Sequence, residues 1–153
     1  MDLKELLQRA RSYCAKEEKC RLQVRQKLTF WGATPDQAED ILQLLTDENY
    51  INEERFAREF ALGKFRLIKW GKIKIAIELM RLQIPEDSIR NGLDAIDMDD
   101  YESLLKKILL QKSNSLHATN KEVAKKKLAT FAMAKGFEGE LVWKAVKELT
   151  VGG

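Results

Sequence analysis

Residues 20–45 read CRLQVRQKLTFWGATPDQAEDILQLL and contain the pattern that decides the fold. Apolar side chains recur every three or four residues on both sides of Gly32, as they do along one face of an α-helix. Gly32 is suited to end the first helix. Thr34 and Pro35 are suited to begin the second, as an N-cap and a first helical residue. The stretch therefore predicts a helix, a turn at Gly32 and a second helix.

The same pattern recurs twice further along the chain. Gln83 lies 51 residues after Gly32, and Gly136 lies 53 residues after Gln83. Apolar residues stand at matching distances from the three positions, which indicates a tandem repeat whose units bury one another's apolar faces. The matching sets are Val24/Ile75/Leu128, Leu28/Leu79/Ala132, Ala33/Ile84/Phe137, Ala38/Ile89/Val142, Leu42/Leu93/Val146 and Leu45/Ile96/Leu149.

Good helix formers dominate the rest of the chain, and no run alternates as a half-buried strand does, so the sequence predicts an all-α fold. Grouped by the repeat, the helices form three-helix units at 1–46, 47–97 and 98–153, which we expect to stack into an elongated, curved array. The expected helices lie at about 3–15, 18–31, 35–45, 52–69, 72–82, 85–96, 99–112, 120–136 and 138–150, with a polar loop at 113–119.

The formal net charge is only +3, but charge alternates in blocks along the chain. Residues 36–54 contain seven acidic and no basic residues, whereas residues 58–81 contain seven basic and two acidic ones. Residues 86–102 are again acidic, and residues 104–127 contain seven basic residues and one acidic one. Third helices are thus acidic, and second helices with the segments that lead into them are basic.

The basic residues near the start of each second helix are candidates for a binding surface. If the repeats stack in register, these residues form a stripe that attracts phosphate groups or an acidic protein surface. The alternative is a solvated face that neighbouring acidic helices neutralise. Of the aromatic residues nearby, Phe60 is expected in the core, and Trp70 is the one best suited to an exposed position. The predicted stripe comprises Arg21, Arg25, Lys64, Arg66, Lys69, Lys72, Lys74, Lys121, Lys125, Lys126 and Lys127.

The sequence contains no phosphate-binding glycine loop, no nucleophile elbow and no cofactor motif, so we expect neither catalysis nor a cofactor. Cys14 and Cys20 lack the further ligands that a zinc site needs, and we expect them to be reduced apolar residues. The acidic residues of 97–102 lack the calcium-loop pattern, and capping of a helix by Asp99 explains them. Without a signal segment or a long apolar run at hand, we expect a cytoplasmic protein that is not attached to a membrane.

Several segments of the chain together resemble the RecX family of bacterial recombination regulators. They are ARSYC (residues 10–14), CRLQVRQKL (20–28) and, most specifically, DENYINEERFAREF (47–60), followed by Arg66, Gly71–Ile73 and Ile77–Leu79. Two departures are Asn52–Glu54, where the family commonly has a leucine and two aspartates, and Cys20, where it favours a serine.

The resemblance implies a function for the whole chain. RecX-like proteins bind the filament that the RecA recombinase forms on single-stranded DNA. They limit its growth, ATP hydrolysis, strand exchange and co-protease activity in the SOS response, and so act in DNA repair and recombination. Contacts to the recombinase, to DNA phosphates or to both remain open, as does binding of duplex DNA. The alternatives are a stand-alone helical DNA-binding protein and a helical adaptor for unrelated proteins. We expect a monomer.

Overall fold

The computed structural model describes residues 1–117 and 120–151, and every regular element in those ranges is an α-helix. The predicted all-α fold is therefore confirmed, with nine helices in the described residues. They are α1 (Leu3–Lys16), α2 (Arg21–Phe30), α3 (Pro35–Asp47), α4 (Glu53–Ile68), α5 (Lys72–Arg81), α6 (Glu86–Asp94), α7 (Met98–Ser115), α8 (Lys121–Ala134) and α9 (Gly139–Val151).

The turn that defines the repeat is present at all three predicted positions. Gly32, Gln83 and Gly136 have positive φ angles of 93°, 60° and 97°. In each case the amide of the next residue donates a hydrogen bond to the carbonyl oxygen five residues before it, at 2.9, 3.1 and 3.3 Å. This is the bond that closes a Schellman turn at the end of a helix. All the matching apolar positions are buried except Leu93 and Leu149, which are half-buried.

The beginning of α2 differs from the expectation of about residue 18. The backbone is extended at Glu17, and the helix begins only at Arg21, after Cys20 as its N-cap residue. A thiol is a weak hydrogen-bond acceptor, so cysteine replaces the hydroxyl of a serine cap poorly. The Gln23 side chain instead accepts a hydrogen bond from the Cys20 amide at 3.1 Å, as the third helical residue of a capping box does.

Helix α7 also differs from the sequence-based boundaries at both ends. It begins at Met98 because the side chain of Asp97, rather than that of Asp99, caps it by accepting the Asp100 amide at 3.0 Å. It continues to Ser115, so the first three residues of the predicted loop 113–119 are helical. Residues 118 and 119 of that loop lie outside the described residues. The other helix ends lie within two residues of the predicted ones.

The chain divides into two compact units, the first formed by Met1–Phe60 and Leu79–Gly92. In this unit α1, α2 and α3 pack on one another, and Arg11 on α1 donates to both carboxylate oxygens of Glu48, at 2.9 and 2.6 Å. The core around these helices includes Leu6, Ala10, Val24, Leu28, Ile41, Leu42 and Leu45.

The second unit comprises Ala61–Glu78 and Leu93–Gly153. Helices α7, α8 and α9 pack on one another here. Its most buried large side chains include Tyr101, Leu105, Leu109 and Phe137. The division passes through α4, α5 and α6, whereas the sequence suggested units at 1–46, 47–97 and 98–153. Those three boundaries, and the elongated, curved array, stay predictions.

Candidate functional site

The predicted stripe residues Lys64, Lys69, Lys72 and Lys74 surround the short turn between α4 and α5. Lys69 ends α4 with a φ of 59°, a left-handed conformation that stops the helix. The Trp70 amide then donates to the Lys64 carbonyl oxygen at 3.1 Å. The turn therefore brings together, at the start of α5, lysines that are ten residues apart in the chain.

Trp70 lies between two of these lysines and is half-buried. The Lys64 ammonium is 5.3 Å from the centre of the indole ring, and the Lys74 ammonium is 4.9 Å from it. Both distances are within the range of a cation–π interaction. Because a ring carries no net charge, it orients the Lys74 ammonium group without neutralising it. The four lysines are half-buried, so the turn gathers positive charge at a partly accessible surface.

The α4–α5 turn is fixed by direct backbone contact with the turn between α8 and α9. The Gly71 amide donates to the Lys135 carbonyl oxygen at 2.7 Å, and the Ile73 amide donates to that of Gly136 at 3.0 Å. A β-carbon on Gly71 would lie 2.3 Å from the backbone of Gly136 and Phe137. Only glycine permits so close an approach, which explains why glycine stands at position 71.

Tyr101 on α7 supports the same turn from below. Its hydroxyl accepts a hydrogen bond from the Lys72 amide at 2.8 Å and donates one to the Glu138 carboxylate. The ring lies 5.1 Å from that of Phe137 and 5.7 Å from that of Phe65, centre to centre. Burial, followed by the hydrogen bond to Glu138, raises the pKa of Tyr101 well above its ordinary value. The hydroxyl therefore stays protonated and holds the first residue of α5 in place.

The predicted stripe residues on α8 lie near its beginning. Lys121, Lys126 and Lys127 are exposed, whereas Lys125 pairs with Glu122 at 3.4 Å. Asn120 caps the helix, and its side chain accepts a hydrogen bond from the Val123 amide at 2.9 Å.

A second lysine–aromatic cluster lies at Phe131 on α8. The ammonium groups of Lys112 and Lys135 are 5.0 and 5.7 Å from its ring centre. Neither lysine was among the predicted site residues. The signal that could have found them is the recurrence of a lysine close to each aromatic residue, rather than the position of lysines relative to the repeat.

The stripe residues of the first unit have a different environment. Arg21 and Arg25 share Glu39, at 3.7 and 3.1 Å, and Arg21 also donates to the Thr46 hydroxyl at 3.1 Å. Here the alternative interpretation applies, because an acidic third helix neutralises the basic second helix. In the second unit, the stripe residue Arg66 on α4 is exposed.

The other sequence features have structural explanations. Phe60 is half-buried and stacks on Phe56 at 5.7 Å, as a core-side residue would. Cys14 and Cys20 are buried free thiols, and burial raises the pKa of Cys14 to about 11. Across the described ranges, no group of three His, Cys, Asp or Glu side chains is arranged to hold a metal ion. No helix within them is long and apolar enough to cross a membrane.

Known proteins resemble this chain over most of its length. A family model described as "RecX, second three-helix domain" matches residues 52–93. The "Regulatory protein RecX" of Prosthecochloris aestuarii is 27% identical over 97% of this chain and 95% of its own length. Its namesake in Clostridium tetani is 30% identical over 92% of this chain and 63% of its own length. The protein of the same name in Clostridium botulinum is 28% identical over 82% of this chain and 59% of its own length. The chain thus spans about three fifths of the clostridial relatives.

Solved structures share the fold. The crystal structure of RecX from Lactobacillus salivarius superimposes with a TM-score of 0.87 at 17% sequence identity, and the match covers 97% of each chain. A second crystal structure, of regulatory protein RecX, gives a TM-score of 0.86 at 18% identity over 95% of this chain and 71% of its own. At these identities the superpositions establish the fold alone.

Proposed function

Because this chain belongs to the RecX family, we propose that it is a regulatory protein that binds the RecA filament on single-stranded DNA and restrains it. The restrained activities are filament growth, ATP hydrolysis, strand exchange and co-protease activity. The observation that carries the proposal is the match to regulatory relatives along nearly the whole chain, with the family model over residues 52–93. DNA repair, recombination and the SOS response are the processes that such a regulator affects, in the cytoplasm and as a monomer.

The charge around Trp70 supports this function. The turn between α4 and α5 lies within residues 52–93, and the Trp70 ring orients the Lys74 ammonium group without carrying a charge that would neutralise it. Positive charge held in this way attracts DNA phosphates or acidic side chains of the recombinase subunits over a Debye length of about 8 Å at physiological salt. We propose that this turn contacts the filament.

The direct test is the DNA-dependent ATPase of the RecA protein from the same bacterium, measured while this protein is titrated onto preformed filaments. We expect inhibition at concentrations that approach the concentration of filament subunits. An ATPase that is unchanged at a micromolar excess would refute the proposal for the cognate recombinase. A pull-down that recovers another stable partner and no recombinase would favour an adaptor role instead.

A charge-reversal variant tests the contribution of the turn. Replacing Lys69, Lys72 and Lys74 with glutamate should weaken binding to the filament by about tenfold or more, because attraction becomes repulsion. The matched control reverses Lys106, Lys107 and Lys144, which are exposed on α7 and α9 of the same unit. Equal affinities of the two variants would show that the turn makes no special contact. Circular dichroism confirms that both variants retain their helices.

The second candidate is a stand-alone DNA-binding protein, which the exposed lysines at the start of α8 favour. In that case a gel shift with duplex DNA alone should show tight binding. The logarithm of the affinity should fall with the logarithm of salt concentration by about 0.9 for each phosphate contact. Binding that requires RecA excludes this candidate.

A further inference from the structure

The first unit has an open cleft that the predicted basic stripe does not include. It lies on α1, α2 and the segments that follow them, and its volume is about 640 Å³. Ligand sites in proteins commonly measure about 300–1,000 Å³, so the cleft is large enough for a small organic ligand. Its walls include two aromatic residues and four basic ones, namely Tyr13, Trp31, Arg9, Lys16, Lys19 and Lys27.

The two aromatic rings form a rigid floor. Tyr13 and Trp31 meet edge to face, with ring centres 6.1 Å apart and planes at 79°. Both are half-buried, and both pack against the core of the first unit. Rings that are fixed from behind lose little conformational freedom when a ligand stacks on them, which favours binding.

The basic side chains are arranged around these rings. Lys19 is nearly buried between the Glu17 carboxylate, at 2.5 Å, and the Tyr13 ring, at 4.7 Å. Lys27 is 5.7 Å from both ring centres, and Arg9 is 5.7 Å from that of Trp31.

Charge in the cleft is strongly positive. Among the described residues, Glu17 is the single acidic one that lines it, and Lys19 already pairs with that carboxylate. Arg9 and Lys16 are exposed, and within the described part of the chain neither forms an ion pair with a described acidic side chain. Two cations at the rim are therefore available to an anionic ligand.

Aromatic faces together with unpaired cations define the chemistry of the ligand. A nucleotide carries a flat base that stacks on rings and a phosphate that binds lysine and arginine. The base must be unpaired, because a duplex hides the faces of its bases in the helical stack. A purely acidic peptide would use the cations and leave the rings without a partner.

We propose that this cleft binds an unpaired nucleotide, with the base against Trp31 and the phosphate on Arg9 and Lys16. The base takes the place of the Arg9 guanidinium on the indole ring, and the exposed arginine then turns to the phosphate. The nucleotide belongs either to a single strand or to a free mononucleotide, since the chemistry is the same. The proposal does not rest on the recombinase, because the site is complete in this chain.

The test measures binding of a short fluorescent thymidine oligonucleotide by anisotropy, with no recombinase present. Replacing Trp31 with leucine keeps apolar bulk on the core and removes the ring. We expect affinity for the single strand to fall by about tenfold, since stacking on one aromatic ring contributes about 1–3 kcal/mol per base. Affinity for the same sequence as a duplex should stay unchanged. Trp143→Leu is the matched control, because Trp143 is an exposed tryptophan on α9.

A second variant tests the cleft independently of the ring. Arg9→Gln combined with Lys16→Gln replaces two exposed charges with polar side chains and keeps the Trp31 ring, so it should fold even if Trp31→Leu does not. We expect it to weaken single-strand binding by about tenfold, whereas Lys107→Gln combined with Lys144→Gln should not. Equal affinities of the two double variants would overturn the proposal.

Competition identifies the source of the nucleotide. If thymidine monophosphate displaces the oligonucleotide, the cleft takes free nucleotides. If only unlabelled single strand does so, it takes a strand, and both results support the site. Displacement by poly-glutamate as effective as that by single strand would refute it, because the cleft would then be an acceptor of acidic protein segments. A negative result leaves the RecA proposal intact, because no recombinase enters this test.

Discussion

The backbone contact at Gly71 makes a sharp prediction about stability. In a Gly71→Ala variant the new methyl group would lie 2.3 Å from the backbone of Gly136 and Phe137, and the nearest atoms cannot rotate away as a side chain would. The two turns must therefore separate. That separation breaks the hydrogen bonds from the Gly71 and Ile73 amides, which measure 2.7 and 3.0 Å.

The expected cost follows from these two effects. Forcing an extra methyl group into a packed site costs about 1–3 kcal/mol. Each hydrogen bond that is lost without a replacement costs about 1 kcal/mol more. We therefore expect the free energy of unfolding to fall by about 3–5 kcal/mol, measured by urea denaturation followed by circular dichroism. For a unit of this size the loss lowers the melting temperature by more than about 10 °C.

Gly63→Ala is the matched control, because it makes the same chemical change within the same unit. Gly63 lies inside α4, and a β-carbon there would have no neighbour within 4 Å. Alanine favours a helix interior over glycine by about 0.5–1 kcal/mol, so this variant should be more stable than the original. The reasoning would be refuted if Gly71→Ala unfolded at the same urea concentration as the original protein, or if both variants shifted in the same direction.

Three further predictions concern single residues. Gln83 has a φ of 60°, so Gln83→Gly should stabilise the protein by about 1 kcal/mol in urea denaturation, and Gly32→Gln should destabilise it. Folding raises the pKa of Tyr101, so its contribution to the free energy of unfolding is fully present below pH 10.0, the ordinary pKa of the group, and declines as the pH rises above that value. The urea concentration at the midpoint of unfolding should therefore fall more steeply in strong base for the original protein than for Tyr101→Phe. Because burial raises the pKa of Cys14 to about 11, a chromogenic disulfide reagent should modify it only after unfolding.

Much of the fold follows from local sequence, and the turns show why. Each second helix ends at a residue with a positive φ, and the glycines at Gly32 and Gly136 indicate this in the sequence. Gln83 gives no such signal, and it was found only because the apolar spacing around it matched. The helix beginnings were less predictable, because a thiol at Cys20 and two nearby candidate caps, Asp97 and Asp99, leave the position open by a few residues.

The candidate site was less accessible to sequence reasoning, because its contacts join residues that are far apart in the chain. Lysine density did identify the α4–α5 turn. It did not reveal that the turn packs on residues 135–137, or that Tyr101 holds the Lys72 amide. The cleft of the first unit was missed for the same reason, since Arg9 and Trp31 come together only when α1 packs on α2.

The partners of each cation offer a way to separate binding residues from structural ones within a charge-banded chain. Arg25 is balanced by Glu39, so it adds little to the field that a distant phosphate experiences. Lys74 lies over Trp70, which orients the ammonium group and leaves its charge intact. An anion that arrives at Lys74 meets a preorganised cation without first displacing a carboxylate, which favours its binding. We therefore expect the affinity for the filament to depend on Lys74 far more than on Arg25, although both residues belong to the stripe that the sequence predicts.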